Sequence, residues 1–172
     1  MMEEYLIVDG YNMVGAWPEL IKTSETSLEE ARNQLIKLLA DYQGYSGMKI
    51  IVVFDAHQVP GIGVKEKNHK IKVIYTKEKE TADECIERLV TELTHRKREI
   101  HVATSDYVEQ RVTFGKGALR RSARELLMDI KESRRKVENK ITKHTKKSSY
   151  TFDSKLSSDV KDIFEKWRRG EK

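Results

Sequence analysis

A single cysteine, two prolines and no long apolar run limit what this 172-residue chain can be. A lone thiol, Cys85, closes no intramolecular disulfide and builds no zinc cluster of the cysteine-rich kind. No apolar stretch approaches the roughly 20 residues of a bilayer-spanning helix, and the N-terminus lacks the basic and apolar regions of a secretory signal. The expectation is a cytoplasmic protein with no membrane partner. No internal repeat and no glycine-rich phosphate loop is present, and the histidines make no triad with a serine or with Cys85.

What the chain does have is charge, unevenly placed. Charged residues make up 35% of it against 38% hydrophobic, the balance of a heavily solvated globule long enough for one domain with a proper core. Residues 1–114 hold 15 Lys and Arg against 19 Asp and Glu, whereas residues 115–172 hold 18 against 9. An acidic body with a basic tail suits a protein that holds cations in one place and polyanions in another; a solvated, lysine-rich pair of surface helices fits the same numbers.

Hydrophobic patterning gives alternating strands and helices. Residues 5–8, 48–54, 71–75 and 100–104 read as strands, and residues 118–121 as a brief last one. The unbroken run at 48–54 fits a strand covered on both faces, as in a parallel sheet. Ser27-Leu-Glu-Glu30 and Thr81-Ala-Asp-Glu84 are capping boxes that open helices, and Ser122-Ala-Arg-Glu125 opens a third with Val137 and Ile141 on its inward stripe. Residues 60–70 read as a polar loop, 106–114 as a short helix, and 156–167 as a final helix. The expected fold is a three-layer α/β/α sandwich around a mostly parallel sheet, with basic helices at the C-terminal end. Residues 1–142 form its domain, and residues 143–172 form a basic linker and a C-terminal helix packed on that domain.

In such sheets, ligands bind beyond the carboxyl ends of the strands. Asp9 ends the first strand, Asp55 the second, and Asp106 follows the fourth, so all three belong to one edge. Asp83, in the first turn of a helix, joins them and on the helical wheel flanks the apolar stripe, whereas Glu84 points to solvent. Carboxylates gathered without a counter-charge raise one another's pKa, so a bound cation is implied, and oxygen-only ligands suit Mg²⁺ or Mn²⁺ better than zinc. Singly, each acid also answers to a cap or a turn. Asn12 is placed to orient Asp9 or a water, or else to hold its own turn. Ser105 is placed to meet a phosphate or to cap a helix.

The stretches "VDGYNMVGAWPEL", "ARNQLIKLLADY", "VVFDAHQVPG", "VIYTKEKETADECIERL", "VATSDYVEQ" and "GKGALRRSARELL" run in order across residues 6–127. As an ordered set they resemble the NYN nucleases of the PIN-like superfamily, in their bacterial YacP-type branch. The resemblance implies a PIN-like fold, an acidic pocket for divalent metal and endoribonuclease activity. It places the family's first acid on Asp9, its partner on Asn12, the helix-borne acid on Asp83 and the acid of the "TSD" turn on Asp106. The branch is associated with ribosomes, where a member cleaves messenger RNA within the decoding site. Many PIN-like enzymes carry a further acid shortly after that turn, where this chain has Tyr107 and Val108; Asp55 or Glu109 is then the candidate to complete the site.

Lys116, Arg120 and Arg121 follow the last motif and suit phosphate oxygens, with Arg120 equally readable as an ion-pair partner of the acids. Lys143, Lys146 and Lys147 suit ribosomal RNA or a solvated linker. Tyr11, Trp17 and Tyr107 flank the acids as base-stacking candidates, with Trp17 read first as a lid on the core. His57 reads as a turn residue and Cys85 as buried and inert. The expected protein is a monomeric, metal-dependent endoribonuclease acting on messenger RNA at the ribosome. The alternatives are a non-catalytic ribosome- or RNA-binding module and a small-phosphate hydrolase.

Overall fold

Leu6, Ile7 and Val8 are fully buried, and their alternation sends Leu6 and Val8 to one face of a sheet and Ile7 to the other. The computed structural model that places them describes residues 2–56, 65–68, 71–105 and 117–155, with side chains for all but 65–68 and 143–155. Six strands form one sheet: β1 (Glu3–Asp9), β2 (Lys49–Phe54), β3 (Lys65–Asn68), β4 (Ile71–Tyr75), β5 (Arg98–Ala103) and β6 (Leu119–Arg121). Their order is β3-β4-β2-β1-β5-β6, all parallel except β3, which runs antiparallel to β4 at the edge. The expected mostly parallel α/β sheet is thus the observed one.

Helices cover both faces. Between β1 and β2 lie α1 (Gly10–Ala16), α2 (Pro18–Thr26) and α3 (Leu28–Ser46), which with Trp17, at the junction of the first two, pack Met13, Leu35 and Leu39 on Leu6 and Val8. Ser27 caps α3 by accepting from the Glu30 amide, and Gly47 ends it in the left-handed conformation, at φ 76°. On the opposite face α4 (Ala82–Leu93) packs Cys85, Ile86 and Val90 on Ile7 and Val53; Thr81 caps it by accepting from the Glu84 amide. Ser122 accepts from the Glu125 amide at the start of α5 (Ala123–Lys155), whose Leu126 and Ile130 join the first core. Trp17 is the core lid expected of it: it is 2% exposed, and its Nε1 donates to the Ala123 carbonyl at 2.8 Å.

Several expectations require correction. Residues 65–68, read as loop, form the edge strand β3; Lys-Glu-Lys-Asn has no apolar alternation to betray it, and charged residues are what an edge strand carries against unwanted pairing. The stretch 10–26, to which the hydrophobic patterning assigns no element, makes α1 and α2, the second opened by Pro18 at its first position, where the missing N–H costs nothing. Residues 143–149, read as a linker, are helical: the stretch contains neither proline nor glycine, and lysine is a good helix former. Val137 and Ile141 are exposed rather than inward, since single branched residues among lysines and arginines bury no face. The expected helices at 106–114 and 156–167 lie outside the described residues. The chain divides into two compact units, Met1–Ser133 and Arg134–Lys172.

Candidate functional site

From the central strand β1 the connection through α1–α3 leads to β2 on one side, while the chain later returns through α4 to β5 on the other. The carboxyl ends of β1 and β5 therefore flank the switch in strand order where sheets of this kind leave a crevice. Val8 is level with Ala103, which puts Asp9 level with Thr104, the first residue past β5.

Asp9 is 5% exposed. It occupies the N-cap position of α1 with extended backbone (φ −77°, ψ 100°), yet its side chain makes no capping bond. Its Oδ2 accepts instead from Asn12 Nδ2 at 2.5 Å. The same amide nitrogen donates to Thr104 Oγ1 at 3.0 Å, and Ser105 Oγ donates to Asn12 Oδ1 at 3.0 Å. The two ends of the Asn12 amide are thus each matched, the nitrogen to Asp9 and Thr104 and the oxygen to Ser105. Asn12 therefore ties the turn after β1 to the turn after β5, and holds Asp9 with one oxygen engaged from its own helix. The alternative of Asp9 as a cap falls, and so does that of Asn12 serving only its own turn.

Asp83 lies in the first turn of α4, beyond the same edge, and is exposed, as is Glu84. The wheel's distinction between the two does not appear in their exposure. Asp55, just past β2, is half-buried. Among the described residues no three acids, histidines or cysteines gather closely enough to hold a metal ion, so Asp9, Asp55 and Asp83 do not form such a group by themselves. Asp106, next after Ser105, lies outside the described residues, as do Lys116, His57, Tyr107 and Glu109. In kind, the donors fit a hard cation: they are oxygens only, led by a carboxylate that is more than nine-tenths buried. In number the described donors do not suffice for a metal group.

Tyr11 is half-buried and packed against the core. Its ring packs on Phe54 (centroids 5.1 Å apart, planes at 60°), and Phe54 in turn stacks on Tyr75 at 5.7 Å. Burial pushes the Tyr11 phenol above its ordinary range, against the opposing hydrogen bond from Arg32. Gly10 is where this packing meets the site, because a Cβ there would collide with Cε1 of the Phe54 ring.

Of the two described arginines expected to clamp RNA, Arg120 is exposed and lies level with Val102 on β5. Arg121 is engaged on the other face, donating to Tyr42 Oη at 3.2 Å and pairing with Asp129 at 3.3 Å. Lys143, Lys146 and Lys147 fall within α5. Cys85 is fully buried, and burial raises its thiol pKa, as an inert cysteine requires. Sequence reasoning missed Thr104; its signal was a polar residue ending a buried strand beside Ser105.

A doubly wound α/β domain with an acid, an amide and two hydroxyls at its switch point is the class that fold and site define. Within that class the chain belongs to the YacP-like NYN domain family, whose model matches residues 6–169. It is 51% identical to the uncharacterized protein YacP of Bacillus subtilis (strain 168), over 98% of each chain. It also matches the crystal structure of Rae1 (YacP) from Bacillus subtilis, with 52% identity, a TM-score of 0.75 and coverage of 96% of this chain and 95% of that one. A tryptophan-to-leucine variant of that protein matches with 46% identity and a TM-score of 0.74 over 96% of each. NYN domains are a PIN-like nuclease family, which supports nuclease activity on RNA as the general assignment. No helix among the described residues is long and apolar enough to cross a membrane.

Proposed function

We propose that this protein is a metal-dependent endoribonuclease that cleaves messenger RNA in association with the translating ribosome, at the decoding site. The observation that carries the reading is Asp9: a buried carboxylate at the switch point that makes no capping bond to α1 and accepts from Asn12. Burying a carboxylate is costly, and a fold retains one where a cation or a reaction requires it. Membership of a nuclease family supplies the reaction class.

In this reading Asp9, Asp83 and Asp106 hold Mg²⁺ or Mn²⁺, and Asp55 is the candidate for a further ligand. When bound, the ion supplies a more acidic water and neutralises charge on the scissile phosphate. Asn12 keeps Asp9 in one orientation, and Thr104 keeps Asn12 in place. Ser105, exposed beside them, is the candidate to meet a phosphate oxygen. In-line hydrolysis would leave a 5′-phosphate and a 3′-hydroxyl. Arg120, Lys116 and the lysines at 143, 146 and 147 are assigned to the RNA backbone, where charge gives affinity without sequence choice. The ties of Arg121 to Tyr42 and Asp129 favour a structural part for it.

The test combines ribosome co-sedimentation with mapping of RNA ends in cells carrying the wild-type chain or Asp9→Asn. New 5′ ends within translated messages that vanish in the variant, while both chains sediment with ribosomes, are the expected result. Unchanged ends would remove the nuclease assignment, and co-sedimentation without any cleavage would leave the binding-module alternative. Purified chain assayed with and without EDTA tests the metal.

A further inference from the structure

Arg32 lies in the second turn of α3. That helix leads through Gly47 into the first residue of β2, so its own N-terminal turns stand beside the carboxyl ends of the strands. Arg32 is half-buried, and its Nη1 donates to Tyr11 Oη at 3.2 Å. Tyr11 is two residues past Asp9, and its ring is fixed against the fully buried Phe54, which also blocks any Cβ at Gly10. The guanidinium is therefore held at a set place relative to Asp9.

What holds Arg32 there is not an acid. Among the described residues Arg32 makes no ion pair, and its hydrogen bond is to the Tyr11 hydroxyl. A phenol is neutral at pH 7, so Tyr11 orients the fork and supplies no counter-charge. A partly desolvated guanidinium, aimed by a rigid neutral acceptor at the rim of a site, lacks the planar, doubly charged-oxygen partner for which its five donors are suited.

We propose that Arg32 is a phosphate-binding residue for single-stranded RNA: it grips a backbone phosphate on the β1/β2 side of the site, so the strand crosses the sheet edge between Arg32 and Asp9. This rests on the nuclease reading, and the two are separable by experiment. Binding of a short fluorescein-labelled single-stranded oligoribonucleotide is measured by anisotropy in EDTA, across a salt series. The full-length chains are wild type, Arg32→Gln, Arg32→Lys, Tyr11→Phe and Asp9→Asn.

Arg32→Gln weakens binding about tenfold and flattens the dependence of log K on log salt by about one phosphate contact. Arg32→Lys keeps the salt slope and recovers part of the affinity, which a purely structural role would not produce. Tyr11→Phe weakens binding less than Arg32→Gln does, because the charge remains and only its aim is lost. Equal affinity and slope for wild type and Arg32→Gln overturns the proposal, as does the absence of binding by the wild-type chain. The nuclease reading is tested separately, by cleavage of the same oligoribonucleotide in Mg²⁺, where Asp9→Asn does not cut. Cleavage by that variant at the wild-type rate would refute the Asp9-centred metal-nuclease reading, whatever the Arg32 variants do.

Discussion

Gly10→Ala should destabilise the domain from a position where sequence statistics favour alanine. Gly10 opens α1, and replacing glycine in a helix interior by alanine ordinarily gains up to about 1 kcal/mol. Here the new Cβ would overlap Phe54 Cε1, and would lie 2.5 Å from Cδ1 and 3.0 Å from Cζ. The ring cannot swing aside: it is fully buried and packed between Tyr11 and Tyr75. Overpacking of a filled core costs about 1–3 kcal/mol, and a contact this short with an immobile ring belongs at the upper end. Net of the backbone gain, the loss is about 2 kcal/mol, which for a chain of this size lowers Tm by about 4–8 °C. Thermal unfolding followed by circular dichroism measures it, and Phe54→Leu provides the control. In the Phe54→Leu background the same Gly10→Ala change should cost much less, because the clashing ring is gone. A Gly10→Ala chain that melts with wild type, or a loss of stability as large in the Phe54→Leu background as with Phe54 in place, would refute the packing argument. The same shift moves the turn that carries Asp9, so cleavage should fall more than stability alone explains.

The other predictions concern the site and its surroundings. Asn12→Ala leaves Asp9, Thr104 and Ser105 without their shared partner; it should cost about 1–3 kcal/mol in chemical denaturation and lower cleavage about 10²-fold through misplacement of Asp9. The folded state holds the Tyr11 proton above the unfolded pKa of about 10, so that contribution is present below pH 10 and is lost as pH rises through the folded value. Denaturation series at rising alkaline pH should show a smaller decline for Tyr11→Phe than for wild type, and equal declines would contradict the shift. Cys85, buried with a raised pKa, should react with a thiol reagent only at the rate of global opening, so its labelling should accelerate with denaturant.

How much of this was legible beforehand depended on whether a residue's role was local. The capping boxes at Ser27, Thr81 and Ser122 declared their helices, because the bond that opens each one joins residues three apart. The strands Lys49–Phe54 and Ile71–Tyr75 declared themselves as apolar runs, and strand ends put Asp9 at the right edge. The edge strand Lys65–Asn68 carries no such pattern, and its pairing with Ile71–Tyr75 is written in neither segment alone. Thr104 and Arg32 were missed for the same reason. Each matters through a partner far away in the chain, Asn12 and Tyr11 respectively, and composition carries no trace of such pairs. The lysine run at 143–149 misled in the opposite sense: charge suggested a linker, while helix propensity determined the backbone.

The measurement that bears most directly on the account is cleavage of a ribosome-bound message by purified wild-type chain and Asp9→Asn, with equal folding of the two verified by circular dichroism. Asparagine preserves the shape of Asp9 and can still accept from Asn12, so only the charge at the switch point is removed. The account predicts cleavage by wild type that EDTA abolishes, and a loss of about 10²-fold or more in the variant. Cleavage by Asp9→Asn at the wild-type rate would contradict it.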